Sequence, residues 1–272
     1  MTRSLRVSHA SVARRDPHLA RGVERLLAAR SGVTADPPPP PTLLPIALGS
    51  VRATSRIAVA PFCPRTPDDD ALVALGGAAA AGAGLVVTPV LQAFGLASDD
   101  ALVAWQRIAD YVHGKGARFA LRITTADAES APLIAERAAF IGFDVLVLDA
   151  GHDPLAGEAM PATLAAARPK FKGWLGAQVH DKPAARAAVV GHAAQLVRAG
   201  ADVLWVSAPS DGSARLPAAP LADRLRNELG VAIVVDGADA LLPDLDAAIA
   251  AGRADMVFVR SVLVAERLRS PR

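Results

Sequence analysis

A closed (β/α)8 TIM barrel is the fold expected of these 272 residues. Three observations point to it. Eight short apolar runs alternate with Ala-rich helical stretches; the runs are apolar throughout rather than at every second residue; and glycines stand where the helical stretches end. Strands apolar on both faces belong to a parallel sheet covered by helices on both sides. Eight of them within about 205 residues suit a small closed barrel, with a doubly wound open sheet as the alternative that strand count leaves standing. No Gly-x-Gly-x-x-Gly follows the first strand, which counts against a dinucleotide-binding version of that open sheet.

The chain divides at a run of five prolines, residues 37–41. Such a run favours extended polyproline II and acts as a semi-rigid spacer. Residues 1–41 are therefore expected to be a basic extension with a short helix and a linker, and residues 42–272 the barrel. In the extension, Asp16-Pro17 reads as an N-cap followed by proline in the first helical turn. Leu19, Val23, Leu26 and Leu27 then make an apolar stripe that needs a partner. Residues 1–30 hold seven Arg against Asp16 and Glu24, leaving 22 basic and 25 acidic groups elsewhere. The barrel is thus no polyanion binder by composition, and the basic segment is expected to be a solvated tail.

Strands are expected at 56–60, 85–88, 118–123, 145–148, 175–179, 203–207, 232–235 and 256–259, and helices at 69–81, 100–115, 131–141, 183–199, 220–229 and 242–251. Gly82, Gly116, Gly142, Gly200, Gly230 and Gly252 sit at the expected helix ends, where a left-handed cap suits glycine. Residues 71–98 carry no charge, but five glycines and Pro89 interrupt them, so they read as a buried helix followed by a buried strand rather than a membrane span. The N-terminus lacks the apolar core of a secretory signal; an organellar transit peptide stays open. The single cysteine, Cys63, excludes an internal disulfide and any multi-cysteine metal site, and a reducing cytoplasm is the expected setting.

In a barrel, chemistry belongs at the C-terminal ends of the strands. Those windows contain Asp149, His152 and Asp153 after the fourth strand and His180-Asp181 after the fifth. They could serve acid–base or metal chemistry, although Asp and His there also cap the following helix. Ser207, Ser210, Asp211 and His180 could imitate a hydrolytic triad, but no nucleophile elbow accompanies them.

Several segments resemble the old yellow enzyme family of flavin oxidoreductases. They are Leu44-Pro45-Ile46-Ala47-Leu48-Gly49 with Ser55-Arg56-Ile57-Ala58-Val59-Ala60-Pro61-Phe62, Gly82-Ala83-Gly84-Leu85-Val86-Val87-Thr88, the helix from Ala104 to Gly116, Gly142-Phe143-Asp144, and Ala251-Gly252-Arg253-Ala254-Asp255-Met256-Val257. The resemblance spans residues 43–268 in order and implies the family's barrel, short and missing part of the usual insertions, with a hairpin closing its bottom. Ser4 to Ser8 and Ser11 to Pro17 resemble the junction in bifunctional salicylyl-CoA 5-hydroxylases, which fuse an FAD monooxygenase domain to such a barrel.

Carried onto this chain, the resemblance implies FMN as cofactor and NAD(P)H as reductant. Pro61 and Cys63 would lie beside the flavin, and Gly237 and Arg260 at its phosphate. Arg122 stands where the family has a glutamine and Gln178 where it has an arginine, an exchanged pair that could still meet the ring. Asp149-x-x-His152 replaces the family's His-x-x-His/Asn pair as the catalytic positions, and an anionic Asp149 would disfavour negative charge on an acceptor carbonyl. Asp236 takes the place of a glycine and would repel a phosphate that Arg260 attracts. The implied function is hydride transfer to an activated carbonyl or aromatic-CoA acceptor. The alternative is a flavin-free degenerate barrel that partners an FAD monooxygenase domain or subunit. A small-molecule substrate is expected, a homo-oligomer remains open, and neither nucleic acid nor membrane is expected.

Overall fold

The computed structural model describes residues 9–124, 127–151, 154–209, 216–237 and 240–260. Eight parallel strands form the centre: β1 (Ile57–Val59), β2 (Leu85–Val87), β3 (Arg118–Thr124), β4 (Val145–Asp149), β5 (Trp174–His180), β6 (Val203–Ser207), β7 (Ala232–Asp236) and β8 (Met256–Val259). They run β2-β1-β8-β7-β6-β5-β4-β3, and β2 also pairs with β3, so the ring closes and the open-sheet alternative falls.

Parity along each strand sorts side chains into two layers. Val86, Phe119, Leu121, Leu146, Leu175, Leu204, Ile233 and Val257 face outward under the helices. Ala58, Leu85, Val87, Ala120, Val145, Val147, Trp174, Val203, Trp205, Val234, Met256 and Phe258 fill the interior. Ile46, Val51 and Ala53 join that inner cluster from an antiparallel hairpin, Ile46–Leu48 with Val51–Ala53, and plug the end where the strands begin. Higher up, Trp205 and Phe258 meet edge-on with centroids 5.3 Å apart, an apolar floor beneath the open mouth.

Among the described residues seven helices separate the strands: Asp69–Ala80, Asp99–Gly114, Ala131–Ile141, Pro154–Ala167, Arg186–Arg198, Ala219–Leu229 and Leu242–Ala250. Asp68 and Ser98 cap the first two by accepting from Ala71 N and Ala101 N, while Gly142 and Gly230 end two others in the left-handed conformation. Pro154–Ala167 is a helix that the sequence pattern did not suggest, because Gly157 and Pro161 interrupt it. Residues 71–98 divide as expected into helix and buried strand, and among the described residues no helix is long and apolar enough to cross a membrane.

A repeated device sets the strand starts. Asp144, Asp202 and Asp255 precede β4, β6 and β8, and each accepts the backbone N–H of the preceding strand, from Phe119, Leu175 and Ile233, at 2.9, 3.0 and 3.0 Å. Each also holds an arginine: Arg118, Arg168 and Arg226.

The extension is docked, not solvated. Helices His9–Arg15 and Pro17–Arg30 pack on each other and on Leu242–Ala250. Asp16 caps the second helix by accepting from Leu19 N. The buried face is Ala20 and Ala28, whereas Leu19 and Leu26 of the expected stripe are half exposed. Arg56, at the start of β1, donates to Ser31 Oγ, and Thr42 Oγ1 donates to Asp246 Oδ1 at 2.8 Å.

Candidate functional site at the barrel mouth

Inward parity continues to the strand ends and brings Arg122, Asp149, Gln178, His180, Ser207 and Asp236 around the mouth, with Arg260 just past β8. Arg122 lies inside, its guanidinium carbon 5.9 Å from the Phe258 ring centroid. Its Nε and Nη2 donate to one oxygen of Asp149, Oδ2, at 3.1 and 2.8 Å. The other oxygen accepts Gly151 N–H at 2.7 Å and lies 3.9 Å from His180 Nε2.

These contacts fix the state of Asp149. Burial pushes its carboxyl up, but the facing His180 ring, the Arg122 charge and the Gly151 amide outweigh burial and hold it at about 2. It is an anion at neutral pH and has no proton to give.

The network runs on across β5 and β6. Gln178 Nε2 donates to Ser207 Oγ at 2.9 Å, and Ser207 Oγ lies 2.8 Å from His180 Nδ1. Ser207 Oγ has one proton and two lone pairs, so it can accept from Gln178 and still pair with His180 Nδ1 in either tautomer of the ring. Arg122, Asp149, His180, Ser207 and Gln178 therefore form one chain of polar contacts around half the mouth.

Two further Arg–Asp pairs line the rim. Arg186 binds Asp181 through both guanidinium donors, and Arg260 Nη2 reaches Asp236 Oδ2 at 3.2 Å. Asp149, Asp181 and Asp236 thus each carry an arginine.

Beside the network a cavity of about 490 Å3 opens between helices Pro154–Ala167 and Arg186–Arg198. Gln178 and His180 form its inner end; Met160, Val179 and Val189 make its apolar wall; Glu158, Lys182 and His192 supply polar groups. Burial, and then the nearby Lys182, push His192 below its ordinary value despite a hydrogen bond with Gln195.

The remaining expected positions fall as follows. Pro61 is buried in the loop after β1. Cys63 is half-buried, and its thiol is pushed up to about 11 by burial and the Asp68 charge, so it stays protonated. Gly237 donates its N–H to Phe258 O at 2.8 Å. His152, Asp153, Ser210 and Asp211 lie outside the described residues. The imagined triad used Asp211, whereas the carboxylate that faces His180 is Asp149. Lys182 and His192 were not singled out in the sequence, and no signal there could have found them, because the cavity arises from helix packing. Among the described residues no group of three His, Cys, Asp or Glu could hold a metal ion.

Neither a protein-family model nor a curated protein matches the chain. Solved structures do. Morphinone reductase aligns with a TM-score of 0.69 and 16% identity, over 85% of this chain and 89% of that one. The old yellow enzyme from Trypanosoma cruzi gives 0.68 and 13%, over 85% and 92%. The barrel has the old yellow enzyme fold. A 2-naphthoyl-CoA reductase solved with 2-naphthoyl-CoA gives 0.67 and 13% over 80% of this chain, which spans only 50% of that longer protein.

Tested against a flavin, the mouth divides. The ring end fits: an apolar floor lies below, and Arg122 and Gln178 face inward on two strands with hydrogen-bonding groups for a polar ring edge. Among the described residues the phosphate end is less favourable: the Gly237 amide is engaged, and Arg260 stands beside the Asp236 carboxylate.

Proposed function

We propose that this barrel is an old-yellow-enzyme-type oxidoreductase that holds a flavin ring across its mouth and acts between NAD(P)H and an activated carbonyl or aromatic-CoA acceptor. The observation that carries the reading is the inward placement of Arg122 and Gln178 on β3 and β5, the exchanged pair of the sequence, tied together through Asp149, His180 and Ser207. A bound flavin supplies hydride transfer between nicotinamide and acceptor.

The chain's own residues then have separable roles. Asp149 orients Arg122 and His180 and lends charge balance; at about 2 it is no general acid. Arg122 offers a cation softened by its partner, and Gln178 an amide held by Ser207. Pro61 and Cys63 border the ring, and His152 is assigned to the acceptor side. The likeness to a reductase solved with 2-naphthoyl-CoA supports the aromatic thioester as an acceptor to try first.

A second reading rests on the self-pairing of the rim. Because Asp149, Asp181 and Asp236 each already carry an arginine, the rim is charge-balanced without a ligand, as a flavin-free barrel partnering an FAD monooxygenase would be.

Oxidation of NADH and NADPH by purified protein, with and without added flavin and with cyclohexenone or naphthoyl-CoA, separates the two. Flavin-dependent oxidation that falls at least tenfold in Arg122→Met supports the oxidoreductase. No oxidation under any combination supports the flavin-free barrel.

A further inference from the structure

We infer that the far end of the flavin site does not select for a phosphate, so that riboflavin binds as well as FMN. The inference rests on the flavin reading above and concerns residues that the ring does not touch.

Barrels of this kind bind phosphate with backbone N–H groups and a cation at the ends of the last strands. Among the described residues, the N–H of Gly237 and Nη2 of Arg260 stand at these strand ends and both are engaged. Gly237 follows β7, and its N–H donates to Phe258 O at 2.8 Å, continuing the β7–β8 ladder rather than facing the mouth.

Charge points the same way. Asp236 ends β7 with a side chain only 18% exposed, and its Oδ2 takes Nη2 of Arg260 at 3.2 Å. Arg260 is 65% exposed and is the cation that the sequence offered for a phosphate. Asp236 takes only Nη2 of Arg260, but a dianion drawn to the remaining donors would sit beside the Asp236 carboxylate, whose repulsion offsets the attraction of the arginine. Riboflavin carries the same ring and ribityl chain without that charge, and its terminal hydroxyl can donate to the Asp236 carboxylate. A surface Arg–Asp pair of this geometry is weak as a stabiliser. It is nevertheless enough to cancel selectivity for phosphate, which would otherwise come from an unopposed arginine and open amides.

Fluorescence quenching titrations of riboflavin and FMN against the full chain test the inference. Dissociation constants within about threefold of each other are expected, corresponding to less than about 0.7 kcal/mol. Arg260→Ala should change the FMN constant by less than threefold. Asp236→Asn, which removes the opposing charge and frees Arg260, should shift the FMN-to-riboflavin ratio at least tenfold toward FMN; Asp236→Ser serves if the Asn variant unfolds. Wild-type protein binding FMN at least thirtyfold more tightly than riboflavin would overturn the inference while leaving the flavin reading intact. Failure to bind either flavin would overturn both.

Discussion

Arg122 on β3 directs two guanidinium nitrogens at a single oxygen of Asp149 on β4, Oδ2, at 3.1 and 2.8 Å. The carboxylate side chain is 5% exposed and the arginine 16%, so neither charge has water to fall back on. Breaking such a pair from one side strands the other charge, which typically costs about 3–5 kcal/mol. Asp149→Ala is expected to lose that much in urea unfolding. Arg122→Met with Asp149→Ala should lose clearly less than the sum of the single changes, because no charge is left buried.

Acid should act on the same residue. Asp149 titrates at about 2 in the fold against an ordinary 3.8. A group depressed by folding stabilises fully above its unfolded value and loses that contribution as pH falls through the folded one. The window therefore runs from about 4 down to about 2, with about 2 kcal/mol at stake. Asp144 adds to the slope in the same direction: burial raises it, but His113, the Phe119 amide and Arg118 lower it overall. Urea midpoints across this range should fall more steeply for the parent than for Asp149→Asn.

The aspartates that start alternate strands predict a second, independent weakness. Asp255 accepts Ile233 N–H and binds Arg226 through two nitrogens at 3.1 and 3.0 Å. Asp255→Ala leaves a buried amide and an arginine without their acceptor and should cost about 2–3 kcal/mol. It lies at the end opposite the mouth, so flavin affinity of the folded protein should change less than threefold.

Removal of residues 1–41 should lower the melting temperature by at least about 5 °C, roughly 2 kcal/mol at this size. The motivation is the docking of the two N-terminal helices on Leu242–Ala250 and the loss of the Ser31 acceptor for Arg56. A melting curve identical to that of the full chain would show that the contact adds nothing.

The barrel was legible because strands buried on both faces write themselves as continuous apolar runs, and because Gly142 and Gly230 mark helix ends that only a left-handed residue can make. Helix Pro154–Ala167 was not, since Pro161 removes a donor and a propensity reading stops there. The extension misled for a different reason. An apolar stripe says that something covers it, not what, and here small residues, Ala20 and Ala28, allow the close approach while Leu19 and Leu26 stay outside. At the mouth, the resemblance rather than the strand pattern suggested that Arg122 and Gln178 face inward, because runs apolar on both faces do not show which residues point inside. The pairing of Arg122 with Asp149 and of Arg260 with Asp236 was not readable, because it depends on the register between neighbouring strands.

The central claim is that the mouth binds a flavin ring at Arg122 and Gln178, and equilibrium titration of flavin fluorescence tests it most directly. The account predicts saturable quenching with one flavin per chain. It also predicts at least tenfold weaker binding for Arg122→Gln and near-parental binding when Gln178→Arg is added, with circular dichroism confirming that each variant is folded. Absence of saturable quenching by the folded parent protein would contradict it.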